Sequence, residues 1–323
     1  MIGGRGVVEF YEARHRIAAY VRRTPLAHSE WLSRLCGAEV FLKLESLQIT
    51  NSFKLRGAAN AALRLHTAGS ERPHLVTASA GNHGRALAYI AERLGLSLTV
   101  FTPRDAPRTK LEAMRRHGAD LRDVADDYEG AEKLAKAHAD AEGITFLSPY
   151  SHPDVIAGAG TVALEILEDR PDIDVIVAPV GGGGLISGVA ALTKGIAPQV
   201  ETVGVEADVS NAFQQSVAAG RITRVTVGST IADGLGGNMD PDTITFEIIQ
   251  RVVDRLVTVS EDALIAAIRG LVTEEHLVVE GAGAAAIAAV IEQRIELRGR
   301  RTALVVSGSN IDATRLAGIL RTA

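Results

Sequence analysis

The stretch VIVAPVGGGGLISGVAAL, residues 175–192, joins an apolar run, four consecutive glycines and a second apolar run. The first run carries no polar side chain, which is typical of a strand buried on both faces of a parallel sheet. The glycines predict a tight turn, and the second run predicts a helix. The stretch approaches the ~20 residues of a membrane span, but Pro179 and the glycines favour strand, turn and helix instead.

The same order of strand and helix continues on both sides of this unit. Further strands are predicted at residues 39–45, 74–79, 97–103, 120–125, 144–148, 200–206, 255–260 and 303–309. Apolar strands separated by helices indicate an α/β fold of two open, mostly parallel twisted sheets covered by helices. Residues 53–149 form a self-contained run of helix–strand units. We therefore predict a small domain at 53–149 and a large domain made of 1–52 and 150–323.

Composition narrows the class of protein. The 323 residues include 34 Lys plus Arg and 39 Asp plus Glu, so the net charge is −5 and gives no electrostatic case for nucleic acid or an anionic membrane. Aromatic residues make up only 4 %, which argues against platforms for stacking bases. The single cysteine, Cys36, fits a reducing compartment, and the N-terminus lacks the apolar core of a signal peptide. We expect a cytoplasmic protein.

The glycine run is the first candidate binding site. Gly181, Gly182, Gly183 and Gly184 lie between the predicted strand and helix, followed by Leu185. Backbone amides without Cβ atoms can surround an anion, and the start of a helix adds partial positive charge. The run matches neither the G-x-G-x-x-G dinucleotide pattern nor a P-loop. A single phosphate group fits it best, and a plain strand–helix turn is the alternative.

Lys54 is the second candidate. It follows Phe53 in the first turn of a predicted helix, where the helix dipole disfavours a cation by ~0.3–1 kcal/mol. This placement lowers the pKa of the amine and favours a neutral nucleophile. A structural lysine is the alternative for this residue taken alone.

Two polar turns follow other predicted strands. Residues 79–83, Ser-Ala-Gly-Asn-His, offer amides, a hydroxyl and an amide side chain to a carboxylate or a ring oxygen. A helix cap by Asn82 is the structural alternative, and His83 is interpreted as a loop residue rather than a general base. Ser307 ends the last strand, where its hydroxyl can hydrogen-bond a neutral ring nitrogen. Ligands of open α/β sheets bind at such strand ends.

Together these motifs resemble the fold-type II pyridoxal-phosphate enzymes, specifically the threonine/serine dehydratase (ammonia-lyase) and serine racemase group. The resemblance covers nearly the whole chain. The matching segments, in the family's order, are Ser-Phe-Lys-Leu-Arg-Gly-Ala (52–58), Ser-Ala-Gly-Asn-His (79–83), Ile-Ala-Gly-Ala-Gly-Thr (156–161), Pro-Val-Gly-Gly-Gly-Gly-Leu (179–185), Thr-Ile-Ala-Asp-Gly (230–234), Glu-Gly-Ala-Gly (280–283) and Ser-Gly-Ser-Asn (307–310).

The resemblance implies a site for pyridoxal 5′-phosphate in the cleft between the two domains. Lys54 binds the cofactor covalently and later carries the Cα proton, Phe53 flanks the ring, and Asn82 contacts the 3′ oxygen. Ser307 meets the pyridine nitrogen. The amides that hold the phosphate belong to Gly181, Gly182, Gly183, Gly184 and Leu185. The residues that bind the amino-acid substrate are Ser79, Ala80, Gly81, Asn82 and His83.

The implied reaction is β-elimination from a 3-hydroxy amino acid. L-Threonine or L-serine would give a 2-oxo acid and ammonia, and the resemblance further implies a homodimer or homotetramer. A neutral serine at position 307 leaves the ring nitrogen largely unprotonated, which suits loss of a β-hydroxyl rather than a long-lived carbanion. Racemisation needs an acid on the face opposite the lysine, and Ala80 stands where the racemase branch has a serine. We therefore favour a dehydratase over a racemase.

Other functions remain open from the sequence. The glycine-rich segment 234–241 could admit a larger 3-hydroxy amino acid, phenylserine-like or derived from hydroxyectoine. A synthase that adds a nucleophile is a further alternative. A phosphate-ligand binding module without catalysis is disfavoured by Lys54.

Two positions and one spacing depart from the family pattern. Asn51 replaces a glycine before the lysine motif, and Ser309 replaces the second glycine of Ser-Gly-Gly-Asn. The racemase branch pairs a glutamate such as Glu206 with a nearby aspartate to bind a divalent metal. No acid follows Glu206 at the expected spacing, so we predict no metal site.

Overall fold

Two parallel sheets organise the computed structural model, which describes residues 6–68, 73–104, 106 and 108–321. The strands are β1 (Leu26–His28), β2 (Glu39–Lys43), β3 (His74–Ala78), β4 (Ser97–Pro103), β5 (Asp120–Ala125), β6 (Thr145–Phe146), β7 (Val175–Pro179), β8 (Glu201–Ala207), β9 (Arg255–Val259) and β10 (Arg301–Val305). The larger sheet has the order β1-β2-β10-β7-β8-β9, and the smaller has the order β5-β4-β3-β6. Every pairing is parallel except that of β1 with β2.

Helices connect these strands and cover the sheets. They are α1 (Val8–Ile17), α2 (Glu30–Cys36), α3 (Lys54–Ala68), α4 (Asn82–Leu94), α5 (Arg108–Arg115), α6 (Tyr128–Glu142), α7 (Pro153–Asp169), α8 (Gly184–Ile196), α9 (Ala212–Ala219), α10 (Thr245–Val252), α11 (Glu261–Thr273), α12 (Gly281–Ile291) and α13 (Ala313–Arg321). Short 3₁₀ turns lie at Glu45–Leu47 and Asp233–Leu235. In the described part of the chain, no helix combines the length and apolarity that crossing a bilayer requires.

The large sheet is buried on both faces, as its apolar strands predict. In β7, Val175 and Val177 pack with α11 and α12, whereas Ile176 and Ala178 pack with α7 and α8. Alternate side chains of a strand point to opposite faces, so one five-residue strand supplies both cores. The carboxyl end of β7 is thereby fixed from both sides, and the glycine turn that follows it is anchored.

Helix α3 crosses α7 at very short range. A Cβ atom at Gly57 would lie 2.6 Å from the Val155 carbonyl oxygen, and one at Gly158 would lie 2.4 Å from the Arg56 carbonyl oxygen. Only glycine permits this approach at the two positions. The crossing fixes the first turn of α3, and with it Lys54, against the large sheet.

These observations confirm the predicted fold class of two mostly parallel sheets flanked by helices. The antiparallel edge strand β1 was not predicted, because three residues are too few for a periodic signal. The strands of the small sheet lie within 74–146, and those of the large sheet lie within 26–43 and 175–305. This arrangement supports the division into domains at 53–149 and at 1–52 with 150–323, which stays a proposal.

Candidate active site

The predicted site residues converge on the carboxyl ends of three strands. β3 leads into the loop at Ser79, β7 leads into the glycine turn, and β10 leads to Ser307. The first turn of α3 joins them, because the Phe53 amide donates to the Ser307 carbonyl oxygen at 3.0 Å and Ser52 pairs with Gly308. Residues from both sheets therefore form one site at strand ends, where open α/β sheets bind ligands.

The glycine turn presents backbone amides at the start of α8. Gly183 precedes the helix with φ +83°, and among the described residues no side chain caps these amides. A Cβ atom at Gly181 would lie 2.2 Å from the Gly234 carbonyl oxygen, and one at Gly182 would lie 2.3 Å from the Tyr150 ring. Uncapped amides at a helix start bind a phosphate well, and here no larger residue fits.

The Lys54 amine lies at the start of α3, half-buried. Its Nζ donates to the Pro149 carbonyl oxygen at 2.8 Å and lies 5.1 Å from the centre of the Phe53 ring. Burial lowers the pKa of this amine to about 8, and the carboxyl group of Glu280 partly opposes the shift. The sequence predicted a lowered pKa from the helix dipole; burial is the cause found here. A sizeable fraction of the amine is neutral near pH 8.

The loop before α4 is held by Ser79. The Ser79 hydroxyl oxygen accepts hydrogen bonds from the amides of Gly81 at 3.2 Å and Gly84 at 2.9 Å. Ser79 is buried, and Ala80 beside it presents only a methyl group. The hydroxyl thus shapes the loop.

His83 lies inside α4, so its interpretation as a loop residue was wrong. It is 3 % exposed, because the helix begins one residue earlier, at Asn82, and turns the imidazole inward. Burial and the nearby charge of Lys54 lower the pKa of His83 to about 3. The ring is therefore neutral at neutral pH.

Asn82 joins the small sheet to the large one. Its Nδ2 donates to the Glu280 carboxylate at 2.6 Å, and its Oδ1 accepts from Asn310 Nδ2 at 2.6 Å. Burial raises the pKa of Glu280 to about 7. Asn82 is thus the first residue of α4, and its side-chain amide spans the cleft. These contacts are not those of a helix cap, which was the structural alternative for Asn82.

The structure shows the contacts of Ser307 and of the two residues that depart from the family pattern, Asn51 and Ser309. Ser307 is buried, and its hydroxyl donates to the Ala282 carbonyl oxygen at 3.3 Å. Asn51 has φ +59°, a left-handed conformation that glycine adopts freely and asparagine tolerates. The Ser309 hydroxyl donates to the Ser46 carbonyl oxygen at 2.9 Å. Both departures are therefore accommodated locally.

Glu206 is occupied by backbone contacts. Its carboxylate accepts from the amides of Phe213 at 2.9 Å and Gln214 at 2.7 Å, at the start of α9. Burial raises its pKa to about 7. Within the ranges that the structure describes, no group of three or more His, Cys, Asp and Glu side chains is arranged to hold a metal ion.

A cavity of about 580 Å³ opens beside these residues between the two sheets. Asn82 and Glu280 line it, as do charged residues from both sides of the cleft. Lys110 of α5 and Arg315 of α13 both pair with Asp233, at 3.0 and 2.8 Å. The cavity reaches Asn82 and Glu280, whereas Lys54, the glycine turn and Ser307 do not line it.

Sequence reasoning missed four residues of this site: Arg85, Tyr150, Glu280 and Asn310. Glu280 and Asn310 stood in motifs that the sequence did single out, so their polarity at strand and helix ends was an available signal. Tyr150 lies in a coil segment, and its contact with Gly182 depends on the packing of distant segments. Nothing local in the sequence indicates that contact.

Comparison with known proteins agrees with this geometry. The model of the family described as "Pyridoxal-phosphate dependent enzyme" matches residues 17–308. An L-threonine ammonia-lyase from Thermotoga maritima is 40 % identical over 309 residues, covering 96 % of this chain and 76 % of the relative.

Solved structures show the same fold over nearly the whole chain. The T.th. threonine deaminase is 38 % identical with a TM-score of 0.86, covering 95 % of this chain and 99 % of its own. Maize serine racemase is 32 % identical with a TM-score of 0.90, covering 97 % of this chain and 96 % of its own. The chain belongs to the family of pyridoxal-phosphate dependent enzymes.

Proposed function

We propose that this protein is a pyridoxal-phosphate-dependent ammonia-lyase that converts a 3-hydroxy amino acid, L-threonine or L-serine, into a 2-oxo acid and ammonia. The observation that carries the proposal is the Lys54 amine, which has a pKa lowered to about 8 and lies among the strand ends of this family's fold. Relatives named L-threonine ammonia-lyase and threonine deaminase support the substrate class.

The residues present fit the cofactor. The turn from Gly181 to Gly184 and Leu185 has uncapped amides for the phosphate, and the Tyr150 ring packs so closely on Gly182 that a Cβ atom there would clash with it. Phe53 and Lys54 lie side by side at the start of α3, and the Ser307 hydroxyl lies at the end of β10. We propose that these residues, with Asn82, bind pyridoxal phosphate. When bound, the cofactor withdraws electrons from the substrate Cα and acidifies its proton.

Proton transfer falls to Lys54. A neutral Nζ accepts the Cα proton of the substrate, and the lowered pKa keeps enough neutral amine at physiological pH for that step. Ser307 is a neutral hydrogen-bonding partner that does not protonate a ring nitrogen. With the cofactor bound, it would leave the electron sink weak, which would favour loss of the β-hydroxyl group as water, the leaving oxygen taking its proton from a bound water or the cofactor phosphate.

The loop 79–83 is proposed to bind the carboxylate of the substrate through its amides. Ala80 has no proton to deliver to the far face of Cα, and the buried Ser79 oxygen is fixed inside the loop by the amides of Gly81 and Gly84, from which it accepts. General acid–base groups contribute ~10²–10⁴-fold, so racemisation should be far slower than elimination. His83 is neutral and buried, and we propose that it shapes this loop.

The wider properties of the protein are proposals of the same kind. We place it in the cytoplasm on the evidence of its single cysteine. We expect a homodimer or homotetramer, which sedimentation would measure. Activity without added divalent metal is expected, since Glu206 already accepts two backbone amides.

The test is a product assay. Holoenzyme is incubated with L-threonine or L-serine, the 2-oxo acid and ammonia are measured by coupled assays, and the D-enantiomer is measured by chiral chromatography. A panel of larger 3-hydroxy amino acids runs in parallel. We expect equimolar 2-oxo acid and ammonia from at least one substrate, with the Lys54→Ala protein as the inactive control.

The Ala80→Ser variant separates elimination from racemisation. It should raise the share of D-enantiomer without abolishing 2-oxo acid formation. D-serine forming as fast as pyruvate in the unmodified enzyme would contradict the proposed preference.

A further inference from the structure

A chain of hydrogen bonds crosses the cleft from Arg85 to Glu280. Arg85 Nη1 donates to Asn310 Oδ1 at 2.6 Å, and Asn310 Nδ2 donates to Asn82 Oδ1 at 2.6 Å. Asn82 Nδ2 in turn donates to the Glu280 carboxylate at 2.6 Å. Two asparagine amides therefore lie between an arginine at one end and a carboxylate at the other.

We propose that Arg85 is a positioning residue that determines which end of the Asn82 amide faces the cofactor. An asparagine amide has a donor end and an acceptor end of nearly equal shape, so its neighbours decide its orientation. A guanidinium group can only donate hydrogen bonds. It therefore requires Asn310 to present its oxygen to Arg85, where Asn51 Nδ2 also donates at 3.4 Å, and its nitrogen to Asn82.

The far ends of the chain enforce the same direction. Asn310 Nδ2 also donates to the Thr50 carbonyl oxygen at 3.0 Å, and a carbonyl oxygen can only accept. Asn82 then has to present Oδ1 to Asn310, which turns its Nδ2 towards Glu280 and the cleft. One N–H of that Nδ2 contacts Glu280, and the second is left for an acceptor in the cleft.

The function of this direction depends on the proposed cofactor site, on which the inference rests. If pyridoxal phosphate binds as proposed, its 3′ oxygen would accept a hydrogen bond from the nitrogen end of Asn82 and would be repelled by its oxygen end. Reversal of either amide would place two donors or two acceptors together. Because Arg85 can only donate hydrogen bonds, it fixes the orientation of the Asn310 amide, and Asn310 in turn fixes the orientation of the Asn82 amide that faces the cofactor ring.

Ion pairing does not explain Arg85. It is half-buried on the cavity wall, and no carboxylate of the described chain lies within ion-pair distance of it. Burial and the charge of Arg116 lower the pKa of Arg85, and the more distant charge of Glu280 opposes that shift. The half-buried position of the Arg85 guanidinium group is explained instead by its hydrogen bond to Asn310, whose amide it orients.

The principal test is Asn310→Asp, which is nearly isosteric. An oxygen then replaces the donor that faces Asn82 and Thr50, so the Asn82 amide is driven to turn round. The cofactor dissociation constant should rise about tenfold or more, and the absorbance spectrum of the bound cofactor should change. Asn310→Ala, which only deletes the contacts, should have the smaller effect.

Arg85 itself is tested by a pair of substitutions. Arg85→Glu puts an acceptor against Asn310 Oδ1 and should reproduce the Asn310→Asp spectrum, whereas Arg85→Lys keeps a donor and should recover most of the cofactor affinity. Arg93→Glu is the matched control, because it reverses a charge on the exposed side of the same helix.

The outcomes separate this inference from the proposed function. Equal effects of Arg85→Lys and Arg85→Glu, or an Asn310→Asp protein with the wild-type spectrum and affinity, would overturn the positioning role alone. A wild-type protein that binds no pyridoxal phosphate would overturn both.

Discussion

Lys54 and Arg56 are basic residues in the same turn of α3, and they lie in opposite surroundings. The Lys54 amine faces the cleft and donates its hydrogen bond to the neutral carbonyl group of Pro149. Arg56 points towards α7 and is 1 % exposed. Two residues apart on a helix, side chains diverge by roughly 200°, so one turn of helix serves two separate sites.

The Arg56 site is a closed cluster of charges. The guanidinium donates to Glu45 at 2.8 Å through both Nε and Nη2, and to Glu165 at 2.7 and 2.8 Å. Lys43 donates to Glu165 at 2.6 Å. Burial alone would raise the pKa of Glu165, but the hydrogen bonds and charges of Arg56 and Lys43 outweigh it and hold that pKa low. Arg56 and Lys43 thus face two carboxylates, although burial still lowers the pKa of Lys43 against the opposing charges of Glu165 and Glu45.

The difference teaches how burial is used in each region. Where carboxylates surround the buried cation, the charge is fixed and the group holds α3 to the large sheet. Where the buried amine meets a neutral carbonyl, the charge is disfavoured and the amine can exchange protons near neutral pH. We therefore expect substitutions at Arg56 to change stability and substitutions at Lys54 to change chemistry.

The largest expected effect is that of Lys54→Met on activity. Elimination should fall by at least ~10⁴-fold, the upper end of what one acid–base group contributes, measured as 2-oxo acid release. Stability should not fall. The folded-state pKa of about 8 lies below the ordinary value of 10.5, so below pH 8 the folded protein holds an unfavourable charge that methionine removes. A lower urea midpoint of the cofactor-free Lys54→Met protein at pH 7, against the cofactor-free wild type, would contradict the comparison.

Arg56→Met should have the opposite profile. It leaves Glu45 and Glu165 buried with Lys43 as their remaining cation, and breaking a buried charge pair costs about 3–5 kcal/mol. Urea unfolding, followed by circular dichroism, measures the loss. Arg64→Met on the same helix is the control, because its pair with Asp154 is partly exposed and should matter by only ~0–1 kcal/mol. Equal losses from the two variants would refute the closed-cluster account.

Gly182→Ala probes the phosphate cradle. The new Cβ would meet the Tyr150 ring at 2.3 Å, so the turn has to move and its amides leave their positions. Hydrogen bonds to charged groups are worth about 1.5–3 kcal/mol, so cofactor affinity should fall roughly tenfold to a hundredfold. Gly318→Ala in α13, where a Cβ meets no atom within 4 Å, is the control. Unchanged affinity in Gly182→Ala would place the phosphate elsewhere.

The smallest effect is on the pH profile. The neutral fraction of an amine with a pKa of about 8 rises roughly tenfold from pH 7 to pH 9, so kcat, which reports the groups of the enzyme–substrate complex, should rise by about that factor. Glu280 raises the pKa of Lys54, so Glu280→Gln should move this rise to lower pH. Kinetics in a constant-ionic-strength buffer measures both curves. A rise that stays in place in Glu280→Gln would argue against the link between the two groups.

The sequence was most informative where local chemistry repeats in space. Apolar strands followed by glycine or polar turns predicted both sheets, and strand ends predicted the region where Phe53, next to Lys54, contacts Ser307. It failed where the outcome depends on packing between distant segments. The contact of Tyr150 with Gly182 and the hydrogen bonds from Arg85 to Glu280 join segments that are distant in sequence. The burial of His83 depends on how α4 packs against the small sheet. No periodicity records such contacts.

The central claim is that Lys54, alone among the lysines, binds the cofactor and carries the chemistry. The most direct measurement is borohydride reduction of the holoenzyme, followed by proteolysis and mass spectrometry of the labelled peptide. We predict that the pyridoxyl label is found on the peptide that contains Lys54 and is absent from the borohydride-treated Lys54→Met protein. A label on Lys43 or another lysine, or labelling that persists in Lys54→Met, would contradict the account.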